Sequence, residues 1–148
     1  MAGRTDFGRT VACVLMGLGM VACHPHRSTS QQMHVPARAP ASAPGSLWDR
    51  AHHYRDTVYI TGTYLRDIAV VLFSASATQA ERQAAIDLVR GEVVGGRRFW
   101  NSDDGYYYVR ILGRDYPRPL VEALPRLRAL PQVLSATPAF VDRGLRLQ

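Results

Sequence analysis

The sequence predicts an α+β domain in which two helices cover one face of an antiparallel sheet. Three observations predict it. Runs of β-formers and helical apolar stripes follow one another as strand, helix, strand, strand, helix, strand, after one extra leading strand. A polar turn, "NSDDG" at 101–105, joins the two middle strands into a hairpin. With both helices on one face, every apolar stripe is buried through short connections, which is the split β-α-β arrangement.

Taken in order, "TVYITGTYL" (57–65) alternates β-formers around Gly62, and "IAVVLFS" (68–74) is a second apolar run. Both read as strands, with a bend at Arg66 and Asp67. "SATQAERQAAIDLVRG" reads as a helix with its own punctuation: Thr78 as N-cap, Glu81 three residues on for a capping box, and Gly91 as the stop. Its buried stripe is expected from Ala85, Leu88 and Val89, flanked by Ala84 or Ile86. "EVVGGRRFW" and "GYYYVRIL" are the hairpin strands. "PRPLVEALPRLRAL" aligns Leu120, Leu124 and Leu127 on one helical face, with Val121 and Leu130 on neighbouring rows. Pro119 suits the first turn of that helix, and Pro125 removes a backbone bond and is expected to bend the axis unless the first turn is separate. "PQVLSATPAFV" closes as a strand in which Pro138 implies an edge position or the strand's end. This order is that of the ferredoxin-like fold, which by itself names no function.

The N-terminal third has a different character. Residues 1–22 have the layout of a signal peptide: Arg4 and Arg9, then the unbroken apolar run "VACVLMGLGMVA" at 11–22. That run is too short for a lasting transmembrane helix. "MVAC" resembles the lipobox of bacterial lipoproteins, which implies lipidation at Cys23 and a chain anchored in the cell envelope. His24 in the following position resembles the outer-membrane sorting pattern, so the periplasmic face of the outer membrane is the expected location. Residues 23–56 are expected to be the lipidated cysteine and a tether, because 24–46 are rich in Pro, Ala and Ser without apolar periodicity. "LWDRAHHYRD" (47–56) fits a short helical turn or a cap that docks Trp48 on the domain, and the pattern does not decide it. The folded domain is expected over 57–148.

Composition excludes several classes of function. All five histidines and both cysteines precede residue 57, so Ser/His/Asp catalysis, Cys/His catalysis and a His or Cys metal site are not expected inside the domain. The carboxylates Asp103 and Asp104 sit in a hairpin turn and read as turn chemistry. The expectation is therefore a protein that is not an enzyme, with no cofactor, no metal and no small-molecule substrate. The 18 basic residues, all arginine, give a net charge of +6 but are scattered from Arg4 to Arg146. A nucleic-acid partner is accordingly not expected.

The run from Asp67 to Asp142 resembles the propeptide domains of subtilisin-like serine proteases, especially the fervidolysin-type prodomain, and their free-standing inhibitor relatives. The pieces that carry the resemblance are a "V-x-F" strand end (Val71, Phe73), the helix opening "ATQAERQAAI", its exit "GEVVG", the strand "YYVRI" and the close "LRALPQVLSATPAFV". The resemblance implies a non-catalytic chain that binds a subtilisin-like serine protease in trans, as inhibitor or folding chaperone. In such domains the open sheet face packs on two protease helices and the C-terminal tail lies in the active-site cleft. If Ala69, Val71 and Phe73 point at the helices, Val70 and Leu72 point away; if Tyr107, Val109 and Ile111 point in, Tyr106, Tyr108 and Arg110 point out. The expected docking face is therefore Val70, Leu72, Tyr106, Tyr108 and Arg110. The alternative is a half-exposed sheet with aromatic cross-strand pairs, or one covered by the leading strand or by Trp48. The cleft-threading tail would be Leu145, Arg146, Leu147 and Gln148, and its alternative is a frayed end. A different reading keeps the same module as an envelope adaptor or oligomerisation domain that binds a non-protease partner or a second copy by strand addition.

Overall fold

Strands lie at His53–Asp56 (β1), Gly62–Phe73 (β2), Gly91–Arg98 (β3), Gly105–Ile111 (β4) and Val133–Phe140 (β5), with helices at Gln79–Leu88 (α1) and Arg118–Arg128 (α2). These elements come from a computed structural model that describes residues 35–141. Two short 3-10 turns, Gly45–Trp48 and Arg50–His52, precede β1. β5 pairs β2, β2 pairs β4 and β4 pairs β3, all antiparallel. The fold is α+β, and these pairings accord with the ferredoxin-like order. At twelve residues β2 is long enough to pair β4 along its second half and β1 along its first, Tyr54 lying opposite Tyr64.

The core lies between the helices and one sheet face. Ala69, Val71 and Phe73 from β2 and Tyr107, Val109 and Ile111 from β4 are buried there, as the alternation predicts. α1 contributes Ala85, Ile86 and Val89, and α2 contributes Leu120, Ala123, Leu124 and Leu127. Leu88, expected in the buried stripe, is instead 39% exposed, because Ile86 takes the inward row. The Thr78–Glu81 capping box forms in both directions. The left-handed residue after α1 is Arg90, at φ 52°, and Gly91 already belongs to β3. α2 continues through Pro125, with Pro119 in its first turn. β5 lies on the outside of the pairings, which is where Pro138 can be accommodated without losing a ladder bond.

The leading strand is not where the sequence pattern puts it. Residues 57–61 form a loop, and the strand preceding β2 is His53–Asp56. The Asp56 carboxylate draws that loop together: it accepts from the backbone N–H of Val58 (2.7 Å), Tyr59 (3.3 Å) and Ile60 (3.2 Å) and from the Tyr64 hydroxyl (3.1 Å). An acceptor that satisfies three successive amides competes with sheet pairing for the same groups. The bend expected at Arg66 and Asp67 is a register shift inside one continuous strand, between Tyr64 and Ala69. The shift inverts side-chain parity, so Tyr64 faces the helices while Leu65 and Ile68 face the other way.

The tether expected over 23–56 is also corrected for the residues from Val35 on. Residues 35–48 form a strap that starts against α1, crosses β3 and ends on the sheet face opposite the helices. Val35 and Ala39 are fully buried. The Val35 N–H donates to the Gln83 side-chain oxygen (2.9 Å), and its carbonyl accepts from the Gln79 side-chain amide (2.8 Å). Arg82 donates to the Ala37 carbonyl, Tyr107 to that of Pro36 and Arg98 to that of Ala39. Proline at 36, 40 and 44 removes amide donors that a segment with few backbone partners could not satisfy. The crossing point is Gly95 and Gly96, where a β-carbon would lie 2.6 Å from Ala43 and 2.7 Å from Pro40, respectively. There the Gly96 N–H donates to the Ser42 carbonyl at 3.1 Å. Any side chain at those positions would lift the strap off the strand.

Candidate functional site

The sheet face opposite the helices is the candidate site, and the strap divides it in two. At one end Leu47 packs with Leu65, Ile68, Tyr108 and Ala139 in a second apolar cluster, joined by Trp48 and Val70. Trp48 meets Tyr108 edge-on, with centroids 5.6 Å apart, and its carbonyl lies 3.2 Å from the His53 Nε2. The Trp48 indole nitrogen is buried without a hydrogen-bond partner. At the other end Leu72 and Tyr106 sit opposite each other and are half-buried, outside the cluster that Leu47 and Trp48 cover. Phe99 stacks edge-on against Tyr106 at 5.2 Å and is itself 40% exposed. Ser135 and Thr137, opposite Leu72 and Val70 on β5, complete this end.

Of the five residues expected on the docking face, the alternation orients all five as predicted, but they do not form one surface. Tyr108 is 2% exposed beneath Leu47 and Trp48, so it is a core residue of the second cluster and is corrected as a contact residue. Burial raises the Tyr108 hydroxyl above the ordinary tyrosine pKa. Arg110 is half-buried and lies 3.5 Å from Asp67, which occupies its charge. Val70 packs at the margin of the covered half. Leu72 and Tyr106 remain accessible. The tail residues Leu145, Arg146, Leu147 and Gln148, and the lipidation candidate Cys23, lie outside the described residues.

The cap that docks Trp48 on the domain, one of the two sequence readings of 47–56, is present; what sequence reading missed is the buried path of 35–46 leading to it, and two signals pointed to the strap. Leu47 and Trp48 are the one bulky apolar pair following a Pro-, Ala- and Ser-rich stretch, and a Gly-Gly pair inside a strand marks close approach of another backbone. On the helix face, Arg82 is 7% exposed, holds Ala37 and the Tyr107 hydroxyl, and leaves its Nε without a partner. Burial raises the Tyr107 pKa, and the nearby Arg82 charge opposes that rise. Among the described residues no three His, Cys, Asp or Glu side chains are grouped to hold a metal ion. The arrangement supplies aromatic and aliphatic contact area with polar margins, which is the chemistry of a binding surface. Compared with family models, curated proteins and solved structures, the chain matches none of them.

Proposed function

We propose that this chain is a lipid-anchored, non-catalytic relative of subtilase propeptides that binds a subtilisin-like serine protease in trans, as inhibitor or folding chaperone. The observation that carries the reading is the half of the sheet face that Leu47 and Trp48 leave half-buried. Leu72 and Tyr106, with Phe99 behind them, offer an aromatic-aliphatic centre on a rigid antiparallel sheet, of the composition that anchors interfaces. Docking there would use Leu72, Tyr106 and the margin at Val70, with residues 145–148 threading the cleft as an extended peptide. The lipid at Cys23 would hold the complex at the envelope, on the periplasmic face of the outer membrane.

The test is inhibition of a panel of subtilisin-like proteases by the chain from residue 24, which keeps the strap intact. Submicromolar inhibition with the chain uncut supports the reading. Deleting 144–148 should then raise the inhibition constant tenfold or more, and full inhibition after that deletion would remove the tail from the mechanism. Rapid digestion without inhibition would refute the reading as a whole.

A second reading, an envelope adaptor or oligomerisation module, is favoured by the free edge of β5. Among the described residues β5 pairs with β2 alone, and Leu134 on it is 65% exposed, whereas the β3 edge is crossed by the strap. An open edge is a template for strand addition. Sedimentation of the same chain at rising concentration separates the two: self-association abolished by Leu134→Lys favours this reading.

A further inference from the structure

We propose that the end of the molecule formed by the loop 57–61, the α1–β3 corner at 88–91 and the loop 112–116 docks directly on a membrane surface, binding anionic phospholipid headgroups. The inference is independent of the protease reading and of lipidation at Cys23.

Each segment exposes apolar side chains. Val58 is 79% exposed, Tyr59 68%, Leu88 39% and Leu112 51%. Two of these tips repeat one pattern, Leu-x-Arg, as Leu88-Val89-Arg90 and Leu112-Gly113-Arg114. They are fixed side by side, because the Leu112 N–H donates to the Arg90 carbonyl at 3.1 Å. Between them and α2 lies a cleft of about 490 Å³ lined by Arg90, Arg114, Arg118 and Arg126. Tyr59 is close enough to Arg118 to act on it electrostatically, which places the first loop at the same end.

The charges at this end are not balanced. Three carboxylates line the cleft, Asp87, Asp115 and Glu122. Glu122 is held by Arg118 at 2.7 Å, and the four arginines outnumber the three carboxylates by one charge. Arg90, Arg114 and Arg126 make no ion pair with any described residue. Guanidiniums in excess of carboxylates beside exposed leucine, valine and tyrosine are the two components of interfacial binding: attraction to phosphates and shallow insertion of apolar tips. A membrane fits better than an acidic protein because the apolar tips come from three separate segments around a polar cleft. A protein partner requires a continuous complementary patch, whereas lipid flows around scattered tips.

The test uses the whole 148-residue chain carrying Cys23→Ser, so that no lipid is attached. Hydrogen exchange is followed on vesicles of phosphatidylcholine alone and of phosphatidylcholine with one-third phosphatidylglycerol. The apolar run at 11–22 then gives the same baseline on both. Amides in 57–61 and 112–116 should slow at least tenfold on the anionic vesicles only. The triple variant Arg90→Gln/Arg114→Gln/Arg126→Gln should raise the lipid concentration for half-maximal protection by about a hundredfold, at about fivefold per arginine. Unchanged exchange within β2 and β4 certifies the variant's fold. Equal slowing on neutral vesicles, no slowing, or slowing indifferent to the triple variant would overturn the proposal. So would protection of these amides by soluble polyglutamate but not by anionic vesicles, which would assign the site to an acidic protein.

Discussion

Leu47→Ala tests whether the strap is pinned at its end or merely lies on the sheet. Leu47 is 5% exposed and fills the space among Leu65, Ile68, Tyr108 and Ala139. Truncating a buried leucine costs about 2–5 kcal/mol, least where the surroundings can collapse into the gap. The strap lies at the surface and can shift, so about 2–3 kcal/mol is expected. If that energy holds only the strap, its local opening rises about 30- to 140-fold, at about tenfold per 1.4 kcal/mol. The assay is native-state hydrogen exchange at Gly96, whose N–H is held by the Ser42 carbonyl, and at Ala39, whose N–H is held by Asp103. The Gly96 amide should accelerate by that factor, while Val71 and Val109 in the main core keep wild-type protection. Ala39, nearer the α1 end, should accelerate less. The reasoning is refuted if Gly96 stays within about threefold of wild type while the core amides lose protection, because Leu47 would then belong to the global fold.

Other expectations rest on separate contacts. Trp48→Phe keeps the edge contact with Tyr108 and deletes a buried indole N–H that has no partner, so stability by urea denaturation should change by less than about 1 kcal/mol in either direction. Tyr64, Tyr107 and Tyr108 all have hydroxyls raised above the ordinary tyrosine pKa by burial, with Asp56 adding to the effect at Tyr64. The unfolded chain releases these protons at about pH 10 while the folded chain retains them, so stability is full below about pH 10 and falls as pH rises beyond it. Urea midpoints at pH 8, 10 and 11 measure this, and a flat profile contradicts it. The Asp56 carboxyl is held below its usual range, first by the Val58 amide, so its contribution is present above about pH 4 and fades as pH falls through its folded value. Asp56→Asn should flatten that acid limb and speed exchange at Val58, Tyr59 and Ile60; an unchanged limb would assign the acid loss to other carboxylates.

Local rules reached the element order, because each helix and each hairpin strand carries its own periodicity. The capping box at Thr78 and Glu81, the inward set Ala69, Val71, Phe73 and Tyr107, Val109, Ile111, and the outside position of Pro138 all follow from spacing along a few residues. The misplaced leading strand shows where such rules stop. "TVYIT" has strand composition, yet the carboxylate of Asp56 immediately before it binds three of its amides, a choice of partner that β-propensity does not encode. Leu88 likewise looked like stripe, and which of two neighbouring rows turns inward is set by what α1 packs against.

The candidate site was legible by half. Alternation alone fixed which side chains point away from the helices, and the sequence by itself determined that Tyr106, Tyr108, Val70, Leu72 and Arg110 share one face. Which of them a partner can touch was decided in three dimensions. A proline-rich stretch with one Leu-Trp pair carries no period to read, and its buried state depends on a glycine pair about fifty residues later that lets its backbone approach β3. The same holds for the arginine-lined end: Leu88, Leu112 and Tyr59 are distant in the chain and meet because the sheet brings three segments to one side. Periodicity reports how a segment faces its own element, and long-range burial reports what else arrives there, which requires the folded chain.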